Sequence, residues 1–241
     1  MKFETAILTN QGGRAVNQDY VAFVENEEGG CWVLADGLGG VQEGELAARI
    51  AVNVILQEFQ DNYQSKKWMK NAIEKVQTTL HLEQKSMSIK RGMRTTVVVL
   101  SCTQNCFTWA HVGDSRLYHL RKGDIVSQTK DHSVCQALVN AGEITKDEIR
   151  FHEDRNRLYR VLGSDGAVKV TIVDKEVELL SGDAFLLCSD GLWEYITEAN
   201  MEETRTDSNS PKEWLVKMEL LLKERVSENN DNYSAIAVFV N

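Results

Sequence analysis

The chain has 241 residues, enough to bury a sizeable core, and its 42% hydrophobic and 26% charged content is that of an ordinary soluble globular protein. A net charge of −9 excludes a general nucleic-acid or membrane-surface binder, whose affinity would rest on Lys and Arg. No apolar run approaches the roughly 18 residues that span a bilayer, and Glu4 stands where a signal peptide would continue its apolar core, so a cytoplasmic protein is expected.

Phe3 to Thr9, Tyr20 to Val24 and Cys31 to Ala35 read as short strands between Gly- and Asn-containing turns. The period then changes. Leu46, Ala47, Ile50, Ala51, Val54, Ile55 and Phe59 recur at helical spacing, as do Trp68, Ala72, Ile73, Val76 and Leu80. Strands return at Thr95 to Ser101, Cys106 to Val112, Ser115 to Arg121 and around Ile125, with turns so short that antiparallel pairing is expected. A helix from Val134 to Ala141 leads into a polar stretch ending near Leu162, followed by strands Val170 to Val177 and Asp183 to Cys188. Ser210, Pro211 and Glu213 form the capping-box signature of a last helix carrying Trp214, Leu215, Met218, Leu221, Leu222 and Val226 on one face. A strand from Tyr233 to Val240 closes the chain. With Pro211 the single proline and no repeat or low-complexity linker, one domain over 1–241 is expected. Two antiparallel sheets packed face to face, with helices outside, fit this order better than a doubly wound sheet.

The five cysteines lack CxxC spacing and are expected to be reduced thiols, although Cys102 and Cys106 bracket one hairpin turn. Asn232-Tyr233-Ser234 matches a glycosylation sequon and is read as coincidence.

Three carboxylates end apolar runs: Asp36 in Asp36-Gly37-Leu38-Gly39-Gly40, Asp190 in Ser189-Asp190-Gly191, and Asp231 just before the final strand. One turn aspartate means little. Three at strand-tip loops suggest a site for hard divalent cations, with the Gly37 carbonyl as a further oxygen ligand. Two Mg2+ or Mn2+ ions so held would lower the pKa of a bridging water and clamp a phosphoryl oxygen. Arg14, in a Gly-containing loop, could grip the phosphate with two parallel hydrogen bonds.

The ordered set Arg14 with Asn17-Gln18-Asp19, Ala35 to Gly40, Arg94-Thr95-Thr96-Val97, Val112 to Tyr118, Ser189 to Trp193 and Asp231 to Ala235 resembles the metal-dependent Ser/Thr protein phosphatases of the PPM (type 2C) family, in their compact bacterial form. The resemblance implies an α+β fold, a central β-sandwich of two antiparallel sheets flanked by helices on both sides in α-β-β-α layers. It also implies that Asp36 bridges two metals, that the Gly37 carbonyl binds one, and that Asp190 and Asp231 hold the other. Arg14 would bind the substrate phosphate. Asp114 with Asp190 would take a third, weaker ion, and Asp19 would act through a metal-bound water. The implied reaction is attack of a metal-bridging hydroxide on phosphoserine or phosphothreonine, with no phosphoenzyme. Phosphorylated proteins, a Ser/Thr protein kinase among them, are the implied partners of a monomer.

Two positions depart from the family. Its eukaryotic members often carry a histidine after Asp-Gly; here Leu38 cannot donate a proton, which leaves a metal-bound water or another group, His111, His132 and His152 being candidates that read also as structural or solvated residues. Arg94 stands where a small residue is usual, and a long cation beside a core strand raises a packing question. Gly163-Ser164-Asp165-Gly166 mimics Ser189-Asp190-Gly191 but follows a polar segment, which places Asp165 in a surface loop. The stretch at about 140–162 matches the family's flap beside the active site. The competing readings are a pseudophosphatase that binds a phosphoprotein or kinase, and a phosphohydrolase for small molecules.

Overall fold

The computed structural model describes residues 1–65, 67–89, 92–173 and 176–241. In chain order the early elements are β1 (Phe3–Asn10), β2 (Asp19–Asn26), β3 (Gly29–Leu38), α1 (Val41–Asn62) and α2 (Trp68–Ser86). Next come β4 (Arg94–Thr95), β5 (Val97–Thr103), β6 (Cys106–Val112), β7 (Arg116–Arg121), β8 (Asp124–Gln128) and α3 (Val134–Ala141). The remainder is β9 (Thr171–Ile172), β10 (Val177–Glu178), β11 (Ala184–Cys188), α4 (Asp190–Trp193), α5 (Glu198–Thr206), α6 (Pro211–Arg225) and β12 (Tyr233–Val240).

One sheet runs β1-β12-β11-β7-β8 and the other β10-β6-β5-β3-β2, with β4 beside β3 and β9 beside β6. The ladders are antiparallel. Alternation along the strands builds three apolar layers. On β3, Cys31, Val33 and Ala35 turn toward Ala47, Ile55 and Ile73 of α1 and α2. Trp32 and Leu34 turn the other way, onto Phe185, Leu187, Ile236 and Val238 of the facing sheet. Ala235 and Ala237 of β12 then pack with Trp214, Met218 and Leu222 of α6. The result is the α-β-β-α layering expected from the sequence.

Several boundaries differ. The single strand expected from Thr95 is two, because Thr96 breaks the ladder between β4 and β5. The strand expected from Val170 to Val177 is reduced to the short pieces β9 and β10; part of that expectation, at 174–175, lies outside the described residues. Helix α5 is too polar to show an apolar stripe in sequence, yet Thr197 and Asn200 give it a reciprocal capping box. At α6, Ser210 accepts the Glu213 N–H, but the Glu213 carboxylate takes the Asn209 N–H instead of closing the box on Ser210. All five cysteines are free.

Candidate active site

Strand β3 runs further than its apolar core suggests. Asp36, Gly37 and Leu38 belong to it, and the chain turns only at Gly39, whose φ of 140° favours glycine. The sharp turn expected directly after Asp36 is therefore displaced by two residues. Threonines clamp the Asp36 peptide: its N–H donates to Thr96 Oγ1 (3.1 Å), and its carbonyl accepts from the Thr96 N–H (2.8 Å) and Thr95 Oγ1 (2.8 Å). The break in the ladder at Thr96 is what makes this clamp. Gly37 has no room for a side chain, since a Cβ would overlap the Gly44 carbonyl oxygen of α1.

Asp190 is likewise not in a loop; it opens α4, directly after Ser189. A Cβ on Gly191 would overlap the Asn232 carbonyl, so the start of α4 lies against the Asp231-Asn232 main chain. Asp231 itself precedes β12, as expected. Its Oδ1 accepts the Asn232 N–H (2.8 Å), and both its oxygens accept from the Arg14 guanidinium (3.0 and 2.9 Å). The sequence separates Arg14, for phosphate, from Asp231, for metal; the structure joins them in a half-exposed ion pair.

Asp19 begins β2 and is the direct cross-strand partner of Asp36. Its Oδ2 accepts from Ser189 Oγ (2.8 Å), while its Oδ1 is buried with no hydrogen-bond partner. Asp114 sits in the turn between β6 and β7, with its carbonyl held by Trp193 Nε1 (3.0 Å). Trp193 in turn lies 3.5 Å beneath the guanidinium of Arg116, which is buried and doubly bonded to Asp131 (2.9 and 2.8 Å). Asn232, read in the sequence only as part of a chance sequon and of the Asp231 to Ala235 motif, has a side chain that binds the Gln18 N–H and the carbonyls of Gln11 and Val16, fixing the loop that carries Arg14.

Asp36, Gly37, Asp114, Asp190 and Asp231 line one cavity of about 410 Å³ with Arg14, Leu38, Asn156 and Leu158. Burial pushes the Asp36 carboxyl well above its ordinary range, and repulsion from Asp190, Asp19, Asp114 and Asp231 adds to it. Asp190 is raised by burial and then by Asp114 and Glu194. Burial, followed by Asp131, raises Asp114 to about 7 against the pull of Arg116. Burial raises Asp19 to about 6, opposed by hydrogen bonds from Ser189 and Ser234. Among the described residues, no three His, Cys, Asp or Glu side chains are drawn tightly enough together to enclose an ion as they stand. The acids share a cavity rather than a closed cage. Their chemistry nevertheless fits divalent cations: oxygen donors only, buried, mutually repelling, and with unused acceptor capacity on Asp19.

The histidines do not supply the missing acid. His111 and His132 are buried and stacked 4.5 Å apart away from the cavity lining, with His132 Nδ1 accepting the Gly113 N–H (3.1 Å). His152 Nδ1 accepts the Asp154 N–H (3.1 Å) and is also absent from the lining. Arg94 is exposed, which answers the packing question, and Asp165 is exposed as expected. The segment 140–162 does reach the site, through Asn156 and Leu158. Arg155 ties it to Glu194 (2.9 Å), just after α4.

Residues 10–224 match the protein phosphatase 2C family model. A serine/threonine phosphatase of Listeria innocua is 35% identical over 71% of this chain and 69% of its own length. Protein phosphatase PhpP of Streptococcus pneumoniae is 31% identical over 84% of each chain. The serine/threonine phosphatase of S. agalactiae superposes with a TM-score of 0.87 at 28% identity, over 100% of both chains. The catalytic domain of the phosphatase PstP, solved in complex with two manganese ions, gives 0.81 at 27% identity over 99% of this chain and 98% of its own. The chain belongs to the protein phosphatase 2C family.

Proposed function

We propose that this protein hydrolyses phosphoserine and phosphothreonine in phosphoproteins, using two divalent cations, Mn2+ or Mg2+, held in the acidic cavity. The observation that carries this reading is the convergence of Asp36, Asp190, Asp231 and Asp114 on one cavity that also contains Arg14. In the proposed assignment Asp36 and the Gly37 carbonyl would hold one ion, with Asp36 shared between the two, and Asp190 and Asp231 would hold the other. Asp114 with Asp190 would take a third, weaker ion, and Asp19 would act from behind through water. Bound there, the cations supply a water of near-neutral pKa and polarise the phosphoryl oxygens.

The protein's own groups do the rest. Arg14, paired with Asp231, carries a planar fork that would grip a phosphate entering the cavity. Leu38 provides an apolar wall and no proton. The residues 1–241 are read as one catalytic domain with a flap at about 140–162, acting as a monomer in the cytoplasm on phosphoproteins that include a Ser/Thr kinase. Among the described residues, no helix is long and apolar enough to cross a membrane.

Hydrolysis of p-nitrophenyl phosphate and of a phosphothreonine peptide should require Mn2+ or Mg2+ and should be lost in Asp36→Ala and Asp190→Ala. Full turnover in EDTA would overturn the reading. Retention of every acid favours an enzyme over a pseudophosphatase, and a nucleotide preferred to the peptide would point to a small-molecule hydrolase.

A further inference from the structure

Arg94 stands beside the catalytic cavity with its charge uncommitted. Strand β4 pairs with the end of β3, placing Arg94 opposite Leu38 and Thr95 opposite Gly37. Alternate residues of a strand share a face, and direct cross-strand partners share it too. Asp36, Leu38 and Arg94 are thus on one side of this ladder, and both Asp36 and Leu38 line the cavity.

The backbone under Arg94 is firmly held. Thr95 is buried, and its N–H and carbonyl pair with Leu162 (3.1 and 2.9 Å). Gln84 of α2 donates to the carbonyls of Gly92 and Met93 (3.1 and 3.2 Å). The Arg94 side chain, by contrast, is exposed and makes no salt bridge among the described residues. The other arginine of the site, Arg14, is already engaged by Asp231. A fixed backbone presenting a free guanidinium next to a reaction cavity is a recognition element, because the fork matches carboxylate and phosphate geometry.

We propose that Arg94 is a specificity-determining residue, binding an anion carried on the substrate next to the scissile phosphate, either an acidic side chain or a second phosphate group. The proposal rests on the phosphatase reading above. A phosphate directed at Asp36 leaves the flanking residues of its peptide over the rim, and Arg94 is the cross-strand neighbour of Leu38, which lines that rim. The charged groups of the lining itself are Asp36, Asp114, Asp190, Asp231 and Arg14, and Arg14 is paired with Asp231. A solvated pair of this kind contributes a factor of about three to five and weakens with salt.

The test is kcat/KM, in Mn2+, for three phosphothreonine peptides of equal length. One has neutral flanks, one has glutamates on both sides, and one has a non-hydrolysable phosphonate residue on both sides. The wild-type protein should favour the anionic peptides about three- to fivefold at low ionic strength, less at high salt. Arg94→Ala should bring the ratio to about one, Arg94→Glu below one, and Arg94→Lys should keep part of the preference. Glutamate and phosphonate arms separate the two sources of the anion. A wild-type ratio near one, or a ratio unchanged in Arg94→Ala, overturns the proposal while leaving the phosphatase reading intact. No Mn2+-dependent hydrolysis of even the neutral peptide overturns both. Thermal melts of the variants, whose altered side chain is exposed, check that each is folded.

Discussion

Asp19 and Asp36 face each other directly across the β2–β3 ladder, two buried carboxylates as cross-strand partners. Like charges so placed destabilise a sheet when both are ionised, a repulsion that a cation bound as proposed would relieve. Asp19→Asn keeps an acceptor for Ser189 Oγ while removing one charge. Burial, partly offset by Ser189 and Ser234, raises the Asp19 pKa to about 6. The folded state therefore holds the proton between the ordinary carboxylate range and about 6, and this group's contribution to stability falls as pH rises through that window. In EDTA at pH 7.5, Asp19→Asn should melt no lower than wild type, while its Kd for Mn2+ should be weaker by about tenfold or more. A lower melting temperature in EDTA would mean that Asp19 stabilises the fold by itself.

Cation binding should release protons. Without cations, Asp114 sits at about 7 and Asp36 and Asp190 well above the usual range, all by burial first. Asp114 therefore holds part of a proton near neutrality, Asp36 and Asp190 are shifted in the same direction, and an incoming ion must displace such protons. Calorimetric titration with Mn2+ in two buffers of different ionisation enthalpy should give different apparent heats at pH 6.5. Affinity should fall as pH drops from 7.5 to 6. Identical heats in the two buffers would refute the release of protons from these acids.

Gly37→Ala tests how closely α1 is set against the site. The added methyl would collide with the Gly44 carbonyl and crowd the Gln18 carbonyl, both main-chain atoms that cannot swing away. Overpacking of this kind costs about 1–3 kcal/mol, and the shift falls on the residue next to Asp36. Both a lower melting temperature and a loss of Mn2+-dependent turnover are expected. An unchanged melt with full activity would mean that α1 yields easily.

Arg116 holds up the Trp193 ring that bonds the Asp114 carbonyl. Arg116→Met strands Asp131 as a buried unpaired carboxylate, at a cost of about 3–5 kcal/mol. Arg116→Met/Asp131→Leu should recover most of that stability in urea unfolding, since an apolar pair replaces an ionic one. If the double variant is no better than the single, Arg116 matters through Trp193 and Tyr118 rather than through Asp131.

Asp36, Asp190 and Asp231 were legible in sequence because each ends or precedes an apolar run, and the nearly unbroken apolar runs of β3 and β12 marked them as strands buried on both faces. Asp19 was legible only as a motif member: nothing local reveals that its strand starts early and pairs it with Asp36. The Thr96 clamp, the Asn232 bonds to the Arg14 loop and the Arg116–Trp193 stack join residues far apart in sequence, so no window of the chain contains them. Helix α5 was invisible for another reason. It buries little more than Met201 and Thr204 and owes its start to a cap, not to an apolar stripe. Leu38 lines the cavity, and among the described residues no histidine joins it there.

Strand β12 has a place in the order of assembly as well as in the sheet. It lies between β1 and β11, and β1 has no other ladder partner among the described residues. On the ribosome β1 must therefore wait for β12, on the order of tens of seconds at ordinary synthesis rates. Asp231 and Asn232 arrive with β12, so the Arg14 loop lacks its Asn232 bonds and the acidic cluster is incomplete until then. The proposed site is thus assembled only by the closing of one sheet.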